Sequence, residues 1–139
     1  MQVTRAADYA VRVTVHLATL PSGARASRAA LARAADAPQT FVAKILQQLV
    51  DARIVRSHAG RAGGFELARP ADGVSVLDVV TAVEGPLCLN RCVSGNGDGC
   101  HLAATCAAQR VWASAQAALT NVLSSASLAQ LAGFRATAA

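Results

Sequence analysis

Aromatic side chains are scarce in this chain, with one Trp, one Tyr and three Phe among 139 residues. Hydrophobic residues still reach 53%, and much of that is alanine, which favours helices and is depleted in strands. The core is therefore expected to be helical and packed from small and aliphatic side chains. No apolar run approaches the roughly eighteen residues of a membrane span, so none is expected. The opening "MQVTRAADYAVRV" sets charges among its apolar residues and has neither the apolar core nor the cleavage site of a signal peptide. A cytoplasmic protein with no membrane association follows, in a compartment where stable disulfides are uncommon. Catalytic arrays are missing too. No two cysteines form a CxxC, no paired carboxylates or Ser/His/Asp set stands out, and "GRAGG" lacks the lysine and hydroxyl of a phosphate-binding loop. An enzyme is not expected.

Acidic charge is thin in the first half. Residues 1–70 hold nine Arg and one Lys against Asp8, Asp36, Asp51 and Glu66, whereas residues 71–139 hold three Arg against four acids. A positive field confined to one half suits a polyanion such as DNA, although a solvated surface would carry the same balance.

The chain is long enough for one domain with a real core. Thr4 is a candidate N-cap for a helix to about Leu20, with Val11, Val15 and Ala18 on one face. "PSG" breaks it. Ser27 can cap the short "SRAALARAA", ending near Asp36. Pro38 opens "PQTFVAKILQQLVDA", with Phe41, Ile45, Leu46 and Leu49 as its apolar stripe. Two short helices joined by a tight turn make a helix-turn-helix. "RIVRSHA", "GRAGG" and "FELARP" read as a β-hairpin with a glycine turn. The fold class is thus mainly α with a small β-hairpin wing, a winged helix-turn-helix. "SVLDVVTAVEG" is a further helix, capped by Ser75 and stopped by Gly85. From about His101 to Leu123 the pattern is helical again, with Val111, Ala115, Ala118 and Val122 on one stripe and Trp112 beside it. That long C-terminal helix needs cover, from its own domain or from a second copy in a homodimer. The tail after Leu131 reads as frayed.

All four cysteines fall in "CLNRCVSGNGDGCHLAATC". Cys92, Cys100 and Cys106 are spaced C-x7-C-x5-C around a Gly/Asn/Asp-rich centre that lets backbone wrap a metal. Thiolates are soft ligands, suited to iron–sulfur clusters and to zinc. Structural thiols would be scattered through the core rather than collected in one loop. Cys88 precedes the loop and reads as a small buried hydrophobe or a spare thiol.

These pieces in this order resemble the bacterial winged-helix regulators that include the iron–sulfur cluster regulator IscR, the nitric-oxide sensor NsrR and the iron regulator RirA. The similarity runs from Val3 to about Leu131 and rests on "TRAADYAVRV", "FVAKILQQLVDARIVRS", "GRAGGFELARP", "VSVLDVVTAVEGPL", the cysteine loop, "VWASAQAAL" and "SLAQLA". It implies a homodimeric repressor or activator on a palindromic site in double-stranded DNA, with affinity set by an iron–sulfur cluster (4Fe-4S or 2Fe-2S) on Cys92, Cys100 and Cys106. Residues 1–84 would form the DNA-binding part and 85–139 the cluster loop and dimerisation helix, within one compact chain. IscR-like members place a histidine three residues after the last cysteine, where this chain has Gln109. NsrR-like members use an aspartate from the first helix of the other subunit, and Asp8 holds that place here. His101 is the local alternative. The competing reading keeps the fold and replaces the cluster with structural zinc or no metal, sensing through thiols or a small ligand.

For DNA, the N-terminal residues of the recognition helix are placed to enter the major groove: Gln39 for adenine edges, Thr40 beside it, Lys44 for phosphate or guanine. The wing offers Arg56, His58 and Arg61. The family usually carries arginine just before the wing glycine, where this chain has Ala59, so Arg61 is the substitute. Arg28 and Arg33 suit phosphates, and His16 reads as a packed or interface residue.

Overall fold

The computed structural model describes residues 3–94 and 100–137. Helix α1 runs Arg5–Thr19, with the Thr4 hydroxyl accepting from the Ala7 amide, and ends where Leu20 turns extended. It buries Ala7, Ala10, Val13, Thr14, Val15 and Leu17. The buried Thr14 hydroxyl donates to the Ala10 carbonyl at 2.9 Å, so it carries no unpaired polar atom into the core. Helix α2, Arg28–Ala35, is capped by Ser27 and closed by Asp36 in the left-handed region, φ 53°. After the extended Pro38 comes α3, Gln39–Asp51.

The expected stripe on α3 holds at Ile45, Leu46 and Leu49 and fails at Phe41. Val42 takes the inward position at 0% exposure, and Phe41 is turned out at 43%. One position along a helix is a 100° rotation, enough to move a side chain from core to rim. Burying the four aliphatic side chains contributes about 2 kcal/mol each.

Strands β1 (Val55–His58) and β2 (Gly64–Leu67) pair antiparallel, Val55 opposite Leu67 and His58 opposite Gly64. The hairpin is tied to the body. Ala26 and Phe65 exchange both backbone hydrogen bonds, at 3.0 and 2.9 Å. That approach requires glycine at position 64, where φ is 141° and a Cβ would sit 2.8 Å from the Ala26 carbonyl oxygen.

Helix α4, Val76–Glu84, starts on a reciprocal Ser75–Asp78 capping box and stops at Gly85, φ 81°. Helix α5 spans Ala107–Ser125. It begins later than the periodicity predicts, because residues 101–105 form turns and Cys106 is an extended N-cap. Helix α6, Leu128–Thr137, replaces the expected frayed tail. Leu128 is fully buried, and its amide donates to the Val74 carbonyl while Val76 donates to Ala126. These bonds bring the α5–α6 junction back to the start of α4, and α6 packs along α1. The core thus collects α1, α2, α3, the base of the hairpin, α4 and Leu128. By contrast α5 packs, among the described residues, mainly against α4 and the turn at 91–93. None of its residues is buried, and Val111, Trp112 and Val122 stand exposed. Among the described residues no helix is long and apolar enough to cross a membrane.

Candidate functional site

Two surfaces carry chemistry. The first is built on α2, α3 and the hairpin. Gln39, Thr40 and Lys44 all lie exposed on α3, and Arg28 and Arg33 are exposed on α2. On the hairpin Arg56 and Arg61 are exposed, the latter in the turn. The sequence-predicted set is therefore solvent-facing, on elements whose mutual orientation the Ala26–Phe65 bridge fixes.

His58 is held differently. Its Nε2 lies 2.6 Å from Glu66 Oε1 on the neighbouring strand. An ionised carboxylate only accepts, so Nε2 donates. Arg25 joins from outside the hairpin, its Nε 3.8 Å from Glu66 Oε2 and its Nη1 donating to the Ala62 carbonyl at 3.3 Å. The hydrogen bond from His58 holds the Glu66 carboxyl below its usual range against the opposing effect of desolvation, with the charges of His58, Arg25 and Arg56 adding to it. His58 thus braces the wing, and Arg25, from outside the hairpin, reinforces the brace without any sequence pattern marking it.

Behind the recognition helix, the Tyr9 ring meets Phe41 edge-on at 5.8 Å and 82°. The Arg12 guanidinium lies 6.0 Å from the Tyr9 centroid, and its Nη1 donates to the Ala35 carbonyl at 3.2 Å. Its Nη2 pairs with Asp8 at 2.7 Å, both side chains being 47% exposed. Asp8, the expected cross-subunit ligand, is therefore engaged within its own helix. At the start of α1 the Thr4 hydroxyl donates to Glu84 of α4.

The second surface is the thiol loop. Gln116 of α5 anchors the approach to it, donating to the Leu87 carbonyl at 2.8 Å and accepting from the Leu89 amide at 2.9 Å. Cys88 is exposed and donates to the Asn90 carbonyl at 3.1 Å, which corrects its reading as a buried hydrophobe. Cys92 sits half-buried in the 91–93 turn, Cys100 is half-buried, and Cys106 is exposed at the mouth of α5. The glycine-rich centre, 95–99, lies outside the described residues. Among the described residues no three His, Cys, Asp or Glu side chains stand close enough to hold a metal ion. Cys92, Cys100 and Cys106 thus do not converge on one point among these residues, and Asp8 is the ligand expected from a second subunit. The donor set still fits a soft metal: three free thiols, none in a disulfide, on the segment that leads into α5. His101 is exposed, Gln109 and His16 half-buried.

A family model described as "Rrf2: Iron-dependent Transcriptional regulator" matches residues 3–133. The chain is 41% identical over 133 residues to Rv1287 of Mycobacterium tuberculosis strain H37Rv, a protein named for an HTH-type transcriptional regulator, covering 96% of this chain and 82% of that one. Among solved structures it is similar to the global cysteine regulator CymR of B. subtilis, TM-score 0.79 at 21% identity, covering 96% and 98% of the two chains. It is similar also to IscR of T. potens, TM-score 0.76 at 22% identity, covering 94% and 85%. At such identities the likeness establishes the winged-helix fold. The relatives are transcriptional regulators, not enzymes.

Proposed function

This chain belongs to the Rrf2 family of transcriptional regulators, and from that premise we propose a homodimeric, cytoplasmic DNA-binding regulator whose cysteine loop is the sensing element. The observation that carries the DNA reading is the exposed row Gln39, Thr40 and Lys44 on α3, next to a wing with Arg56 and Arg61 exposed. A helix of this kind enters the major groove from its N-terminal end, and the wing reaches the flanking backbone or minor groove. Arg28 and Arg33 add phosphate contacts. The affinity falls steeply with salt, because the basic half displaces counterions.

Cys92, Cys100 and Cys106 would hold an iron–sulfur cluster, a centre sensitive to oxidants, nitric oxide and iron supply, with Asp8 of the partner or His101 as the fourth ligand. The chain's own part is to present three thiols on a loop anchored at one end by Gln116 and at the other by α5. A second reading, thiol sensing without a cluster, is favoured by the exposed Cys88, a fourth free thiol outside the three-ligand set. In it two of the thiols close into a disulfide, their two electrons and two protons passing to a peroxide or disulfide oxidant that is reduced in turn.

Anaerobic purification with a visible spectrum and iron and sulfide assays separates the two. A brown protein with about stoichiometric iron supports the cluster, and a colourless, iron-free protein whose DNA affinity changes on thiol oxidation supports the second reading. DNA binding itself is tested by anisotropy against salt. Lys44→Ala and Arg61→Ala should each lower the slope of log affinity against log salt by about one. Normal binding by both would refute the interface.

A further inference from the structure

The base of the hairpin carries a basic concavity that shares only Arg56 with the residues assigned above to DNA. It is an open cleft of about 550 Å³ with Val50 and Val55 at its apolar side and Arg53, Arg56, Ser57 and Arg69 around it. No acidic residue lines it. The ion pairs of Arg12, Arg25 and His58 lie elsewhere. The hairpin brings the arginines together. Past the Val55–Leu67 pair the ladder continues with Ala68 donating to Ile54 at 2.9 Å, so Arg53 and Arg69 flank the open end.

Arg53 adds an independent observation. It follows α3 with φ 57°, and the Arg53 and Ile54 amides donate back to Val50 and Leu49, both at 2.9 Å. This is the left-handed residue that closes a helix, a position at which glycine avoids the strain a Cβ brings. A residue with a Cβ carries some backbone strain there, and the one that does so at this cleft has a long cationic side chain.

We propose that the cleft of Arg53, Arg56 and Arg69 is a phosphate-binding site. Guanidinium forks suit phosphate oxygens bidentately, and the Ser57 hydroxyl supplies a further donor. The three cations repel one another until an anion enters, an effect that the Glu66 carboxylate across the ladder from Arg56 offsets only in part. The phosphate comes either from the DNA backbone beyond the wing, an arm that rests on the regulator reading, or from a free phosphorylated small molecule, an arm that does not.

The test uses the full-length protein, its Arg53→Gly and Arg69→Ala variants singly and together, and Arg5→Ala as an exposed control. Inorganic pyrophosphate is titrated by calorimetry without DNA, and duplex DNA by anisotropy over a range of salt. Arg53→Gly should melt at or above the wild-type temperature, since glycine suits that backbone, which separates loss of the site from loss of the fold. If the site takes a free ligand, pyrophosphate affinity drops about tenfold or more in the double variant while the DNA salt slope stays. If it takes the DNA backbone, the slope falls by about 0.9 for each phosphate no longer neutralised. A double variant that matches wild type in both titrations overturns the proposal. Wild-type protein that fails to bind any duplex refutes the regulator reading, and the pyrophosphate arm still decides the site.

Discussion

Asp8 and Arg12 form an ion pair of 2.7 Å one turn apart on α1. Arg12 uses its other amine on the Ala35 carbonyl at the end of α2 and lies by the Tyr9 ring. Tyr9 in turn touches Phe41 on the recognition helix. If Asp8 is drawn to the partner's thiol loop, Arg12 loses its counter-ion while still joined to the helix-turn-helix. That gives a route from the loop to the DNA face through α1. Exposed pairs at this spacing contribute about 0.3–0.5 kcal/mol, so Asp8→Ala should hardly change the melting temperature. It should instead alter the cluster, or speed its loss to nitric oxide or oxygen, and uncouple DNA affinity from cluster state. His101→Ala should be nearly silent. The reverse pattern, with His101→Ala destroying the cluster and Asp8→Ala leaving it, makes the fourth ligand local.

The thiols divide into three and one. Alanine at Cys92, Cys100 or Cys106 should abolish bound iron, and Cys88→Ala should keep it, because Cys88 is occupied on the Asn90 carbonyl ahead of the loop. Full iron retention in Cys100→Ala would sink the ligand assignment.

Phe41 is the exposed half of an edge-to-face pair. Removing it should cost about 1 kcal/mol from the aromatic contact, far less than a buried aromatic. Denaturant unfolding of Phe41→Ala checks the size, and a loss above about 3 kcal/mol would mean that Phe41 is buried in solution, as in a dimer.

The wing brace has a pH signature. Glu66 titrates below its ordinary value of 4.5, chiefly through the His58 hydrogen bond. A lowered carboxylate contributes stability above its unfolded pKa and loses it as pH falls through the folded one. The stability difference between wild type and Glu66→Gln should therefore be present above 4.5 and fade as pH falls below it. A difference that persists unchanged at low pH would show that packing, not charge, makes the contact.

Much of this was legible in the residues. Thr4, Ser27 and Ser75 cap helices as their side chains predict, and Gly85 stops one, since capping is local chemistry that sequence states directly. The hairpin followed from "GRAGG". Phe41 and Cys88 depart from expectation for one reason: hydrophobicity says that a side chain can be buried, not that a pocket awaits it. Arg25 and Arg53 escape a sequence reading because their roles come from long-range approach and backbone angle, which no spacing encodes. The helix at the C-terminus escapes it likewise, since "SLAQLA" becomes a helix with a buried Leu128 only once α1 and the 71–73 turn are there to receive it.

The remaining prediction concerns the uncovered helix. One side of α5 holds Gln116 against the approach to the thiol loop, and elsewhere Val111, at 65% exposure, and Val122, at 64%, are bare with Trp112 beside them. They recur at the spacing of one helical face, roughly three turns apart. An apolar stripe of this length on a lone molecule marks an interface, and a two-fold partner presenting the same stripe satisfies it with self-complementary contacts. Sedimentation should show a dimer at micromolar concentration, and Val111→Glu with Val122→Glu should give a folded monomer. Because a palindromic site needs two recognition helices at fixed separation, that monomer should also lose most of its DNA affinity while keeping its α1–α4 core. A monomeric wild type would rule out both the interface and any ligand donated across it.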